Sequence, residues 1–238
     1  MSLFYDSTVT ANSTVLQFEK EESKHLAKVL RKKEGDSVQF TNGVGGEWKG
    51  RIIELSPNKS KAEKVDFTQH DQPLHRIHLA IAPTKNNNRM EWLIEKLTEL
   101  GVASITPLRC AHSERKEIKR ERFEKIAIAA LKQSQQFFLP LIHPMVSFDE
   151  FLTKCSLPLF MAHCQAGNKS SLFQQALAHN QVTVLIGPEG DFSPKEIEVA
   201  LSKGALSVSL GTQRFRTETA GFVACHTAFL AHQQMTHF

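Results

Sequence analysis

The chain is short of the signals that most often fix a function. Of its 238 residues four are cysteine, Cys110, Cys155, Cys164 and Cys225. No two of them form a C-x-x-C pair, and the nearby His112 and His163 complete no zinc-ligand spacing, so no metal is expected and the thiols read as buried or idle. No apolar run is long enough for a membrane: the longest uncharged stretch, Thr219 to Phe238, is broken by Thr, His and Gln and reads as a helix packed on a domain. The opening MSLFYDSTVT has no basic segment followed by an apolar one, which predicts a reducing, cytoplasmic setting. G-x-G-x-x-G, the P-loop, G-x-S-x-G and H-E-x-x-H are missing too, which removes the usual marks of dinucleotide, ATP-hydrolysing, serine-esterase and zinc-peptidase chemistry. Even an excess of one charge is nearly lacking, with 29 Lys+Arg against 25 Asp+Glu.

What is present is a composition that can bury a core, 41% hydrophobic and 23% charged, at a length that suits one large domain or two modest ones. The small positive excess is concentrated. Residues 1–72 balance at 11 basic and 11 acidic side chains, whereas residues 109–132 hold eight basic residues against four Glu. A second cluster, Lys24 to Lys33, has five basic residues and no acid. Each alone is most often a solvated helix face, but two on one chain keep a polyanion partner open.

The first 70 residues read as short strands (Val15–Phe18, Ser37–Thr41, Glu47–Leu55 and Ala62–Phe67) around one helix. Glycines in Asn42–Gly46 supply the positive φ angles of a hairpin turn. Ser23 is a candidate cap for the helix carrying His25, Leu26, Val29 and Leu30, with His25 expected half-buried. From residue 72 strands alternate with helices. Strands are predicted at Arg76–Ala82, Ser104–Leu108, Leu157–Ala162, Val182–Ile186 and Leu206–Leu210. Helices are predicted at Arg89–Leu100, Glu117–Gln136, Ser170–His179, Ser193–Lys203 and from Thr217 onward. That rhythm implies βαβ units and a parallel sheet covered on both faces, with ligands at the carboxyl ends of the strands.

Two strand-to-loop junctions stand out on that rule. Val182–Ile186 runs into Gly187-Pro188-Glu189-Gly190, where the glycines let backbone approach a ligand, and Ser193-Pro194 with Glu196 reads as a capped helix start. Ser207–Leu210 ends in Gly211, after which Arg214, Arg216, Thr217, Glu218 and Thr219 crowd the start of the last helix. Thr217 is a candidate cap there and Glu218 suits its first turn, which leaves the two arginines without a structural reason.

With HLAKVLR and GD (25–36), RMEWLIEKLTELGV (89–102), ITPL and SER (105–115), ERFEKIAIAALKQS (121–134), LIGPEG (185–190) and LG with RTETA (210–220), the sequence resembles the RsmE-type small-subunit rRNA uridine-N3 methyltransferases of the SPOUT superfamily. The resemblance runs nearly end to end. It implies an α/β protein with an N-terminal PUA-like β-barrel over residues 1–71 that holds RNA. A SPOUT domain with a trefoil knot and a mostly parallel sheet follows over residues 72–238. It further implies S-adenosyl-L-methionine as cofactor, 16S rRNA of the small ribosomal subunit as partner, a homodimer, and neither membrane nor metal. Carried over by motif, the cofactor residues are Leu185, Gly187, Pro188, Glu189, Gly190, Leu210, Gly211, Thr217 and Thr219. Arg216 is the candidate for stabilising charge on the base, with Glu218 or Glu189 as candidate proton acceptor. Candidate phosphate contacts are Lys24, Arg31, Lys32, Arg89, Arg115, Arg120 and Arg122. The alternatives are a SPOUT enzyme acting on another RNA position and a non-catalytic RNA-binding assembly factor. The chain departs from the family pattern at Gln213, at Gln136 and at Asp191 in GPEGD, with Arg214 or Lys132 as candidates to supply the missing charge.

Overall fold

In the computed structural model, which describes residues 2–156 and 158–236, alternating inward and outward residues build the first sheet. Its strands are β1 (Leu3–Tyr5), β2 (Val15–Phe18), β3 (Ser37–Thr41), β4 (Gly46–Glu54) and β5 (Ser60–Gln69), with helix α1 (Lys20–Lys24) after β2. The order is β1-β3-β4-β5-β2. β1 runs parallel to β3 and the other pairs are antiparallel. The expected barrel is therefore a curled, mixed half-barrel with β1 and β2 as its edges.

Aromatic packing holds this sheet. Phe4, Phe18, Phe40 and Trp48 are buried with Leu26, Val38, Ile52 and Ala62. Phe4 meets Phe18 and Phe40 meets Trp48 nearly edge-on, at 5.0 and 5.5 Å between centroids, the geometry that aromatic quadrupoles favour. The indole N–H of Trp48 donates to Ser13 O at 2.8 Å, which satisfies its one polar atom. A Cβ on Gly50 would lie 2.3 Å from the Trp48 ring and 2.5 Å from Glu63 O, so glycine is required beside this ring. The Asn42–Gly46 turn forms as predicted, with Gly43 and Gly45 at φ +75 and +94 and Asn42 Oδ1 accepting from Val44 N and Gly46 N.

The helix reading needs two corrections. Ser23 is no cap: it is fully buried within α1, donates to Phe18 O and accepts from Ser60 N, and the cap position falls to Glu19. His25 is exposed because His25–Val29 winds as a wider π turn, which keeps Leu26 inside and turns His25 and Val29 outward.

The chain divides into two units. Leu131–Leu139 joins the residues up to Gln72, while Pro73–Ala130 joins the residues from Pro140 on. Within the first unit, Phe137 stacks on His70 at 4.5 Å, Phe137 O accepts from Gly45 N, and Leu139 N donates to Gly43 O.

The second unit contains β6 (Arg76–Ile81), α2 (Asn87–Glu99) and β7 (Ser104–Arg109), then α3 (Arg120–Ser134), whose last turn counts with the first unit. Next come β8 (Leu141–Ile142), β9 (Val146–Ser147), α4 (Phe148–Lys154), β10 (Leu159–Ala162), β11 (Ser170–Ser171) and α5 (Leu172–Ala176). The chain continues through β12 (Gln181–Ile186), α6 (Pro194–Ser202), β13 (Leu206–Ser209) and α7 (Thr217–Thr236). All strand pairs are parallel, in the order β11-β13-β10-β12-β6-β7-β8 with β9 beside β7. The strand predicted from Leu157 is observed from Leu159, Leu157 lying outside the described residues. The predicted helix Ser170–His179 keeps only one turn, because Ser170 and Ser171 pair with β13.

β12 is buried from Val182 to Ile186, as a strand covered on both faces must be. On one face Leu185, Ala80 and Met161 pack with Phe148, Leu152, Ile197 and Ala200 of α4 and α6. On the other, a Cβ on Gly221 of α7 would meet Ile81, Leu93 and Leu79 at 3.0–3.4 Å, so the missing side chain lets α7 close on β6 and α2. After β13, outside β10 in the sheet, the chain returns to lay α7 against β6 and β12.

Candidate functional site

The carboxyl ends of β10, β12 and β13 open onto one cavity of about 710 Å³, where parallel α/β sheets bind ligands. Its wall is made by residues 162–164 after β10, 186–189 and 191 after β12, and 208–217 after β13, with Arg89, Lys169 and Ala220. The candidate cofactor residues Gly187, Pro188, Glu189, Leu210, Gly211 and Thr217 line this one cavity together with Arg216, and Arg89, expected only as a phosphate contact, joins them. Leu185, Gly190, Glu218 and Thr219 stand outside the lining. Leu185 points into the core beneath the loop, because strand side chains alternate and its neighbour Ile186 takes the cavity side.

Backbone contacts hold the loop after β12. A Cβ on Gly187 would lie 3.0 Å from Phe192 N, and one on Gly190 3.2 Å from His112 Cβ, so a side chain at either position would have to push its neighbour aside by a few tenths of an ångström. Asp191 sits at φ +63, a region open to glycine and, among other residues, favoured by Asp and Asn because their short side chains bond locally. Asp191 Oδ1 accepts from Phe192 N at 2.8 Å and Oδ2 from Cys164 N at 2.7 Å, which stitches the β12 loop to the β10 loop. The GPEGD departure thus preserves the backbone that a glycine would adopt. His112 Nδ1 donates to Asp191 O and Gly190 O, and Glu189 Oε1 accepts from Lys85 N. The predicted capping box at Ser193 and Glu196 is present.

Among the wall residues that the sequence reading does not assign to the site are the polar His163, Cys164 and Lys169 of the β10 loop. The signal was available, since the carboxyl-end rule applies equally to the predicted strand ending at Ala162. His163 Nε2 is hydrogen-bonded to Ser207 Oγ at 2.9 Å. Burial first, then Lys169, lowers its pKa against an opposing pull from Asp191, which leaves a neutral ring in the wall.

At the start of α7, Arg216 O accepts from Ala220 N at 2.7 Å, so the cap position belongs to Arg216 and not to Thr217. Thr217 is buried against the cavity instead. The Arg214 and Arg216 side chains are exposed at the wall and have no partner among the described residues. Glu218 is enclosed: Oε1 is 3.5 Å from Arg89 Nε, and Oε2 is buried with no partner among the described residues. Glu189 is the exposed carboxylate of the lining.

The predicted phosphate contacts divide by what already holds them. Lys24 and Arg31 are exposed with no side-chain partner among the described residues. Lys32 donates to Ser37 O. Arg115 donates to Thr84 O and Lys85 O, tying two loops. Arg120 pairs with Glu124 and Arg122 with Glu91. Lys132 pairs with Glu22 at 2.9 Å, and Gln213 reaches only Thr212.

The cavity is within the usual range for cofactor sites. Its backbone-rich loops, apolar Ile186, Val208 and Leu210, and the Glu189 carboxylate fit a cationic nucleoside such as S-adenosylmethionine. Among the described residues no cluster of three His, Cys, Asp or Glu has metal-binding geometry, and no helix is long and apolar enough to cross a membrane.

Two family models match the chain. One, described as an RNA methyltransferase domain, covers residues 70–228, and the other, an RNA methyltransferase PUA domain, covers residues 18–65. A crystal structure described as a probable rRNA-methyltransferase from Porphyromonas gingivalis is 34% identical, covers 100% of both chains and superposes with a TM-score of 0.89. A methyltransferase structure from Legionella pneumophila with bound S-adenosylmethionine is 28% identical over 96% of this chain and 97% of that one, with a TM-score of 0.82. The ribosomal RNA small subunit methyltransferase E of Rickettsia conorii is 26% identical over 225 residues, 93% of this chain and 92% of the relative.

Proposed function

Because the chain belongs to the RNA methyltransferase family, we propose that it transfers the methyl group of S-adenosylmethionine to N3 of a uridine in 16S rRNA of the small ribosomal subunit. The observation that carries this reading is the cavity formed where β10, β12 and β13 end in close-packed loops. When bound there, the cofactor supplies an electrophilic methyl on a sulfonium. Displacement at that carbon is in line, so the protein's work is to position the acceptor and exclude water. The loops 187–191 and 209–213 make a fixed wall for that purpose.

Uridine N3 must lose its proton, and the charge then spreads over two carbonyl oxygens. Arg216, exposed at the wall with no partner among the described residues, stabilises that charge. Glu189 is the stronger candidate acceptor for the proton. Enclosed Glu218 instead orients Arg89. Lys24 and Arg31 contact phosphate, and the target base is presented unstacked. The return of the chain from β13 to α7 supports the trefoil knot that the resemblance implies. Exposed Trp92, packed beside Phe222, and the exposed Leu230 further along α7 support a homodimer, and the reading places the protein in the cytoplasm.

The test is methyl transfer from labelled S-adenosylmethionine to small subunits purified from a strain lacking the protein, followed by mass-spectrometric mapping. A methyl group on uridine N3 is the expected product. A mark on another RNA position moves the enzyme to a different SPOUT specificity, and RNA binding without cofactor binding makes it an assembly factor.

A further inference from the structure

A second cavity, of about 430 Å³, lies at the carboxyl ends of β7 and β9 and the start of α6, the same end of the sheet as the first. Arg109, Lys116 and Lys195 line it. All three are exposed and have no side-chain partner among the described residues. Its two carboxylates, Asp149 and Glu196, offset part of that charge and leave the lining net positive. Glu196 is committed at both oxygens, Oε1 to Ala111 N at 2.7 Å and Oε2 to Ser193 N and Oγ at 2.8 and 2.9 Å. Asp149 stands in the first turn of α4. Three cations with no side-chain partner among the described residues, against two carboxylates of which one is held by backbone and hydroxyl donors, give the concavity a net positive charge that suits an anion.

The cavity is also tied to the loop beside the first one. Ala111, in its wall, is bonded to Glu196, and the next residue, His112, donates to Gly190 O and Asp191 O. We infer that Arg109, Lys116 and Lys195 form a subsite for backbone phosphates of the RNA that flank the nucleotide held at the first cavity. This rests on the function proposed above and adds residues to the RNA-contacting surface. Lysines and an arginine on flexible stems suit sequence-independent phosphate binding, which positions the strand and carries no base readout.

The experiment compares the wild type, Arg109→Gln/Lys116→Gln/Lys195→Gln, and the charge-conserving Arg109→Lys/Lys116→Arg/Lys195→Arg. The probe is a labelled transcript of small-subunit rRNA, titrated between 50 and 200 mM salt. S-Adenosylmethionine affinity and melting temperature are measured alongside. The neutral variant is expected to bind RNA about tenfold more weakly at low salt, with a salt slope flatter by about 0.7 for each phosphate it no longer neutralises. Its cofactor affinity should stay within about twofold of wild type, since none of the three residues lines the first cavity. The charge-conserving variant should bind RNA like wild type. Wild-type affinity and slope in the neutral variant overturn the subsite while leaving the methyltransferase reading intact. A wild-type protein that binds neither RNA nor cofactor overturns both.

Discussion

Arg89 Nε stands 3.5 Å from Glu218 Oε1, and the other oxygen of that carboxylate is buried without a partner among the described residues. One arginine is thus the countercharge of an enclosed acid and part of the cavity wall. Removing the cation leaves a buried charge uncompensated. Arg89→Ala is therefore expected to lower stability by about 1–2 kcal/mol, less than for a fully buried pair because Arg89 is partly exposed. Adding Glu218→Gln should restore part of the loss, as read by urea unfolding of the single and double variants.

Asp191 combines a positive φ with two side-chain hydrogen bonds. Asp191→Gly keeps the backbone and removes the bonds, whereas Asp191→Ala also meets the roughly 1–2 kcal/mol penalty of left-handed backbone. Calorimetric titration should rank S-adenosylmethionine affinity as wild type, then Asp191→Gly, then Asp191→Ala. Equal affinities for all three would show that the stitch between the two loops does not shape the cavity.

Arg216→Ala should lower single-turnover methyl transfer by about 100-fold or more, the effect typical of losing one preorganised charge-stabilising donor, with cofactor affinity nearly unchanged. Wild-type rates would remove Arg216 from the chemistry.

Burial, reinforced by Arg76 and His143, lowers the pKa of His78 from 6.5 to about 4. The unfolded chain takes up this proton near 6.5 and the folded chain resists it until about 4. Stability is therefore undiminished above 6.5 and falls as pH drops between these values, by at most about 3 kcal/mol. His78→Gln should flatten the dependence of unfolding free energy on pH across that window by about 1.4 kcal/mol per unit.

Gly50→Ala tests the first unit. The added methyl has no room between the Trp48 ring and Glu63 O, and overpacking of this kind costs about 1–3 kcal/mol or more. A fall in melting temperature with weakened Trp48 near-ultraviolet dichroism is the expected result.

The alternation of strands and long helices made the parallel sheet legible, because strands such as Val182–Ile186 are apolar but for one residue, Thr183, and bounded by glycine or a cap. Glycine positions and the Ser193 capping box were legible for the same local reason. Elements of two or three residues, β1, β8, β9 and β11, were not, since they exist only through pairing with distant strands. His25 was misread because a π turn shifts the helical register without changing composition. His163 and Lys169 stayed hidden because no glycine or motif marks the end of β10, although the strand itself had been recognised. Arg109 and Lys116 belong to the basic run 109–132, but Lys195 comes from a separate segment, and only the fold brings it beside them at the carboxyl ends of the strands.

The stack of Phe137 on His70 and the bonds from Gly45 and Leu139 that close on this short segment have a consequence for dissecting the protein. Scission of the polypeptide between residues 72 and 73 would not release a self-sufficient N-terminal fragment. It would strip the Asn42–Gly46 hairpin of its hydrogen-bonded neighbour and expose a histidine face that is covered in the intact chain. A fragment meant to fold alone has to carry residues 131–139 with it, grafted through a linker.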